Sequence, residues 1–537
     1  MKRLVSTKKS RLFVLLALLL VVMLVMVACG SPNSENNDPV ADPEDGPRLG
    51  GTLRAIRTSP PAVLGYPPEM TSGDDLASLP ALEPLLDFAD LEDGSAGWGA
   101  ILAKDWETDV ENKAVIFYLQ EGVQFHDGTP FNAEAVRWNF QLQLDNNTLA
   151  AGSLVDRMEV IDEHTIKIYA TAIDNLLWQN WGRHRMISPT AFEEAGEGDI
   201  EKSIEWARMN PVGTGPFKLL NYERDVVIQY ERNDNYWREG YPYLDAVELR
   251  IIPDPSTASM LMEAEQADYW LNPGVLEHAR LVENLGFVEH RSDWGMVWAL
   301  HVDSANPDSP LADIRVRAAV EHALDREAIA EMVGHGYHIP MTQFSPPYEL
   351  GYDPDYYPRP FDTQKAKDLL TEAGYPNGFT VTIMTSSTAM NRDTLTAIQG
   401  YLAAVGITVE LDIADSARYS ALVFRDGFEG MALAAHGADS TGRSLITHWG
   451  PAPRTFRSNA YVKSPEYLAA CEKMLTSYDR QEFIEATGEA YRKASEDALA
   501  IPVMGNYSLY TAQPYVKTET TAAFMWTSFY DFWLENE

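Results

Sequence analysis

Seventeen consecutive apolar residues, Leu12 to Ala28, stand between a basic leader and a cysteine, and they decide where the rest of the chain can fold. Lys2, Arg3, Lys8, Lys9 and Arg11 precede or open the run, and no acid occurs before Glu35. Such a run is near the lower limit for a membrane-crossing helix and slightly long for the apolar part of an export signal, so its length leaves both readings open. From Ser31 to Pro47 the chain turns polar, rich in Pro, Asn and acids, and cannot bury enough apolar surface to fold. Folding therefore starts near Arg48.

Met26-Val27-Ala28-Cys29-Gly30 resembles the lipobox of bacterial lipoproteins, in which small residues precede a cysteine that is lipidated before cleavage. Met26 stands where Leu is usual. The resemblance implies a signal peptide over residues 1–28, lipidation of Cys29 and a flexible tether over 29–47. One acyl chain holds a membrane only marginally, so a multiply acylated cysteine is the sensible anchor. The expected place is extracytoplasmic, on the cell membrane, in a periplasm or on the outer face of the cytoplasmic membrane. Cys471 is then the only thiol without lipid, which leaves no intramolecular disulfide. It reads as a small buried hydrophobe on a helix.

With 537 residues, the chain has room for two large lobes or several smaller units. Apolar residues make up 45% and charged ones 23%, which excludes a disordered chain. The formal charge is −37 with no basic patch, so a phosphate backbone is repelled and nucleic acid is excluded as a partner. Thirteen Trp, 25 Tyr and 19 Phe supply either core or the stacking walls of a pocket.

Residues 51–56, 114–119, 163–169, 217–220, 226–230 and 246–252 read as strands between Gly, Pro and Asn turns. Asn132 is an N-cap candidate for a helix over 133–140. Beyond Pro310, helical runs over 314–333, 364–373 and 394–405 alternate with strands over 379–385 and 407–413. This rhythm predicts an α/β fold with a mostly parallel sheet covered on both faces.

No Gly-x-Ser-x-Gly, His-Glu-x-x-His, phosphate loop or dinucleotide fingerprint occurs, so no catalytic residue, cofactor or metal is expected. Gly213-Thr214-Gly215-Pro216 reads as a structural turn, because Pro216 lacks a backbone donor. His335 and His338 fall among Gly334, Gly336 and Pro340 and read as solvated loop residues. Asp353 and Asp355 lack the glycine and distal Glu of a calcium loop and read as a surface turn.

Several segments together resemble the bacterial extracellular solute-binding proteins of family 5, the peptide and nickel binders of ABC importers. Ile101-Leu102-Ala103-Lys104-Asp105-Trp106 and Phe117-x-Leu119-x-x-Gly122-Val123-x-Phe125-His126-Asp127-Gly128-Thr129-Pro130-Phe131 are similar to family signatures. So are Pro211-Val212-Gly213-Thr214-Gly215-Pro216-Phe217, Arg232-Asn233-x-x-Tyr236-Trp237, Asp313-Ile314-Arg315-Val316-Arg317 with Ala323-Leu324-Asp325-Arg326, and Ala366-Lys367-x-Leu369-Leu370-x-x-Ala373-Gly374-Tyr375. They keep a consistent order from about residue 50 to 510. Most read as scaffold, with Asp325-Arg326 as a helix-end ion pair.

The resemblance implies a monomeric two-lobed periplasmic-binding-protein clamp, type II, with an extra domain in the first lobe. It divides the chain into lobe I over 48–297, lobe II over 298–507 and a return to lobe I over 508–537. Met296 to His301 and Pro502 to Tyr510 would form the hinge. A peptide or similar small solute would bind between the lobes and pass to the permease; an oligosaccharide, metal chelate or aromatic solute is the alternative ligand, and an extracellular hydrolase the disfavoured alternative. In peptide-binding members an Asp pairs with the ligand's ammonium, and Asp439 is its counterpart here. It could equally cap a helix or pair with Arg443. His436 stands where Trp is common, which sets this chain apart. Trp294, Trp298, Trp270, Trp449 and Tyr507 lie where they could line the cleft or pack in the core.

Overall fold

Two long strands, Val288–Val302 and Ala500–Ala512, run antiparallel to each other from the Val288–Ala512 pair to the His301–Ala500 pair. They occupy the segments expected to cross between the halves. The computed structural model that shows this describes residues 46–91, 96–386, 392–438, 441–450, 460–522 and 527–535. Flanking the return strand lie Tyr269–Leu271, Thr52–Arg57, Ala246–Ile251, Val227–Arg232 and Phe217–Glu223, in that order. On the other side, Val288–Val302 is followed by Met431–Ala438, Thr380–Ser386 and Thr408–Ala414.

The two strands read beyond Pro310 around a helix do pair parallel, Thr380–Ser386 with Thr408–Ala414, but the sheet as a whole is mixed rather than mostly parallel. Thr52–Arg57 pairs parallel with two neighbours, and Thr380–Ser386 does the same. The crossing strands enter antiparallel, and Phe217–Glu223, Val227–Arg232 and Ala246–Ile251 pair antiparallel in sequence; the three residues between the first two are too few for a parallel crossover.

Buried side chains gather into separate cores. One draws on Leu53 to Tyr269 and on Tyr510 to Leu534; a second spans Ala299 to Met504 and takes in Leu176; a third spans Leu85 to Met186. The third sits under a four-stranded antiparallel sheet, Ala103–Asp109, Ala114–Leu119, Thr165–Ala170 and Val155–Asp162. Val115, Phe117 and Leu119 alternate inward there and meet Val136 and Phe140 of the helix Ala133–Asp145. Asn132 caps that helix by accepting from the Ala135 amide at 3.0 Å.

Three expectations need correction. The 314–333 run is two helices, Ile314–Ala323 and Arg326–Gly334, because Leu324 is extended and Asp325 caps the second by accepting from the Ala328 amide. Arg326 therefore has no pair in Asp325; it donates to the carbonyls of Met341, Glu321 and Arg359. His338 is not a solvated loop residue. It lies in the strand His338–Pro340, paired with Asn506, and burial pushes its imidazole down to about 4. Cys471, by contrast, is buried on the helix Pro465–Thr476 as expected, with its thiol pushed up to about 11 by burial. Among the described residues, no helix is long and apolar enough to cross a membrane.

Candidate functional site

The site begins at a fault in the central pairing. Ser292 faces Ser508, and the next pair is Gly295 with Tyr507, so the backbone of Asp293 and Trp294 bulges out of register. The parallel strands of both halves aim at this bulge. Thr52–Arg57 and Tyr269–Leu271 run in the direction of Val288–Val302 and end at Arg57 and Leu271. Met431–Ala438 runs the opposite way, from the Val302 pair to the Gly295 pair, and Thr380–Ser386 and Thr408–Ala414 run parallel to it. Carboxyl ends of strands from two sides thus converge on one place, where open α/β sheets bind ligands.

On the first side, a cavity of about 200 Å³ is lined by Arg57, Ser59, Asn272, Ser508, Tyr510 and Thr527, among others. At the bulge, Tyr507 is half-buried; its ring centre lies 5.6 Å from that of Tyr348, and the Arg291 guanidinium sits 4.4 Å above it. A Cβ on Gly295 would collide with the Asn506 carbonyl oxygen and the Tyr348 hydroxyl, so the backbones approach this closely only because no side chain intervenes.

His436 and Trp449 are brought together, with ring centres 4.7 Å apart and edge to face. His301 stacks on the same indole at 5.7 Å and its Nδ1 lies 2.6 Å from the Tyr461 hydroxyl, while Phe344 closes the group. Trp449 is fully buried and His436 nearly so. Trp298 pairs with Ala435 and so occupies the opposite face of the strand from His436. Trp270 lies apart, fully buried among Ile56, Ala258, Met262, Ala267 and Leu281 under the helices Pro255–Glu263 and Val275–Leu285.

Asp439, the side chain of Trp294 and Cys29 lie outside what the structure describes. The helix Arg443–Trp449 has Gly442 at its N-cap position, so that role does not fall to Asp439.

Sequence reasoning missed the contacts that join the halves. The Thr441 hydroxyl donates to Gln179 Oε1 at 3.1 Å, both residues buried. The Asn175 amide donates to the Leu475 carbonyl at 2.8 Å and its side chain to the Ser477 carbonyl at 2.6 Å, with Leu176 inserted into the second core. Such contacts leave no local pattern. Tyr348 and Arg57 were also missed, although both flank breaks in the chain, Pro346-Pro347 and Ser59-Pro60-Pro61. No group of His, Cys, Asp and Glu among the described residues could hold a metal.

Comparisons with known proteins point the same way. Residues 99–450 match the family described as bacterial extracellular solute-binding proteins, family 5 Middle. The glutathione-binding protein GsiB of Pectobacterium atrosepticum is 29% identical over 424 residues, covering 74% of this chain and 78% of its own. Heme-binding protein A of Haemophilus influenzae is 29% identical over 379 residues, 66% of this chain and 68% of its own. Among solved structures, the periplasmic binding protein DppA of Helicobacter pylori, in complex with the peptide STSA, superposes with a TM-score of 0.77 at 26% identity. It covers 91% of this chain and 99% of that one.

Proposed function

The chain belongs to the bacterial extracellular solute-binding proteins of family 5, and on that premise we propose that it captures a peptide or similar small solute at the central bulge and hands it to an ABC permease. The observation that carries this reading is the convergence of strand ends from both halves on the Ser292–Gly295 fault. A ligand touching both sides stabilises the closed arrangement, so binding free energy shifts its population. Of the ligands that the relatives' names print, glutathione and the peptide carry a free amine and support an amine-bearing solute, while heme does not.

Asp439 supplies the carboxylate for the solute's ammonium. Its flanks support this: Ala438 pairs at the bulge with Gly295, and Thr441 reaches across to Gln179. We divide the chain into 48–297, 298–507 and 508–537, and the separation of the first and second cores supports this, although Leu176 reaches into the second. The protein works as a lipid-anchored monomer, tethered through Cys29, and performs no chemistry on its solute.

The test is a thermal-shift series on residues from Arg48 onward with glutathione, the tetrapeptide Ser-Thr-Ser-Ala, its N-acetylated form, a neutral oligosaccharide and a metal chelate. A rise with free-amine peptides that acetylation abolishes is expected. Asp439→Ala should then weaken the free-amine peptide by about 2–5 kcal/mol. Shifts only with the sugar or the chelate would keep the clamp and overturn its ligand.

A further inference from the structure

Arg57 ends the first strand, at the bulge, and lines the 200 Å³ cavity there. It is the only charged residue in that lining; the remainder is hydroxyl, amide and apolar. Only 8% of it is exposed, yet its hydrogen bonds go to neutral groups, Nε to the Ser59 carbonyl at 2.7 Å and Nη2 to the Gly73 carbonyl at 3.0 Å. Asp74, the acid whose charge Arg57 feels, is spent elsewhere: its carboxylate accepts from the Ala62 and Thr71 amides and from the Thr71 hydroxyl. Two other buried arginines are treated differently. Arg185 holds Asp75 and Asp87, and Arg326 lies 3.7 Å from a Glu321 carboxylate oxygen. Arg317 has no acid but commits its guanidinium to three carbonyls, those of Leu311, Ala312 and Asp497.

A buried guanidinium with no carboxylate is costly, and burial draws its proton affinity below the ordinary arginine value. Its fork is built for a carboxylate, which supplies two acceptors and the opposite charge. The surrounding chain carries a formal charge of −37, so this is a local anion site within a repelling field.

We propose that Arg57 and the cavity it lines form an anion subsite of the cleft, which takes a carboxylate of the bound solute. The inference rests on the solute-receptor reading and narrows it: the solute carries a free carboxylate, and Arg57 holds it at the end of the first strand.

The test compares Ser-Thr-Ser-Ala with its C-terminal amide on the purified wild-type protein and on Arg57→Gln and Arg57→Lys, with melting temperature and circular dichroism recorded for each. Wild type should prefer the free acid by roughly tenfold or more, as loss of a charge-assisted hydrogen bond predicts. Arg57→Gln should abolish that preference and Arg57→Lys should keep part of it. Equal binding of acid and amide by wild type, or an undiminished preference in Arg57→Gln, would overturn the proposal. If neither peptide binds, the peptide reading fails and the subsite is judged on succinate, which has carboxylates and no amine. A concentration-dependent rise in melting temperature that Arg57→Gln loses supports it, and indistinguishable responses of the two proteins overturn it. Should Arg57→Gln not fold, Arg57→Lys decides: an acid preference and a succinate response equal to wild type in the shorter, unforked side chain would count against a guanidinium-specific subsite.

Discussion

Ser292 and Ser508 are the last residues paired across the two crossing strands before the register breaks, and both are buried. One step further along the return strand, Tyr507 faces Gly295, three steps further along its partner. The fault lies where the strand ends of the two halves meet, and it leaves Asp293 and Trp294 without a pairing partner on the return strand.

Gly295 should tolerate no side chain. Gly295→Ala forces its Cβ against the Asn506 carbonyl and the Tyr348 hydroxyl, and overpacking of this kind costs about 1–3 kcal/mol. Urea denaturation reads the stability loss, and solute affinity should fall with it. An Ala variant as stable as wild type, with full affinity, would show that the close approach is dispensable.

The contact between Thr441 and Gln179 joins the third core to the second half and should exist only when the halves are together. Thr441→Val leaves a buried Gln179 with one partner fewer, a penalty of about 1–3 kcal/mol. We expect weaker binding of a free-amine peptide by calorimetry and an unchanged melting temperature without ligand. A lowered ligand-free melting temperature with unchanged affinity would mean that the halves never separate there.

Arg185 holds Asp75 at 2.7 Å and Asp87 at 2.5 Å within a largely buried group. Burial pushes the Asp87 carboxyl up and the guanidinium opposes that. Arg185→Met strands both carboxylates and should cost about 3–5 kcal/mol in urea unfolding. A loss under 1 kcal/mol would place the two acids in contact with water.

His126 is held neutral: burial pushes it down to about 4, and its Nε2 lies 3.0 Å from the Gly215 carbonyl, to which it donates. The unfolded imidazole takes up its proton near 6.5, so full stability is present above that pH and is lost as pH falls toward 4. His126→Gln keeps a donor for Gly215 and removes the titration. Between pH 7 and 5 wild type should lose about 2 kcal/mol more than the variant. Parallel stability curves would contradict a His126 held neutral in the folded chain.

The strands were legible where burial alternates along a short segment. Ala114–Leu119 was read at its full length because Val115, Phe117 and Leu119 point inward and a turn follows at Gly122. The parity of the sheet was not legible, since Val288 and Ala512 pair across more than two hundred residues and nothing local marks the direction. The break at Leu324 was hidden because the apolar spacing runs on through it, and only the cap at Asp325 reveals it. Tyr507 was placed on the return crossing, and it lies in the strand Ala500–Ala512. The Trp residues did not sort themselves, because a tryptophan on a strand says nothing of which face meets helices, and Trp270 meets two of them. Arg57 was invisible for a simpler reason: a single arginine at a strand end becomes unusual only once its missing carboxylate is seen.

The most direct test of the account is one calorimetric titration of the wild-type protein with Ser-Thr-Ser-Ala and with glutathione, followed by mass spectrometry of the recovered solute. Saturable one-to-one binding of at least one of them is expected, with recovery at unchanged mass after prolonged incubation. Cleaved or modified solute, or no saturable binding of either, would contradict a receptor that closes on a peptide-like solute and releases it intact.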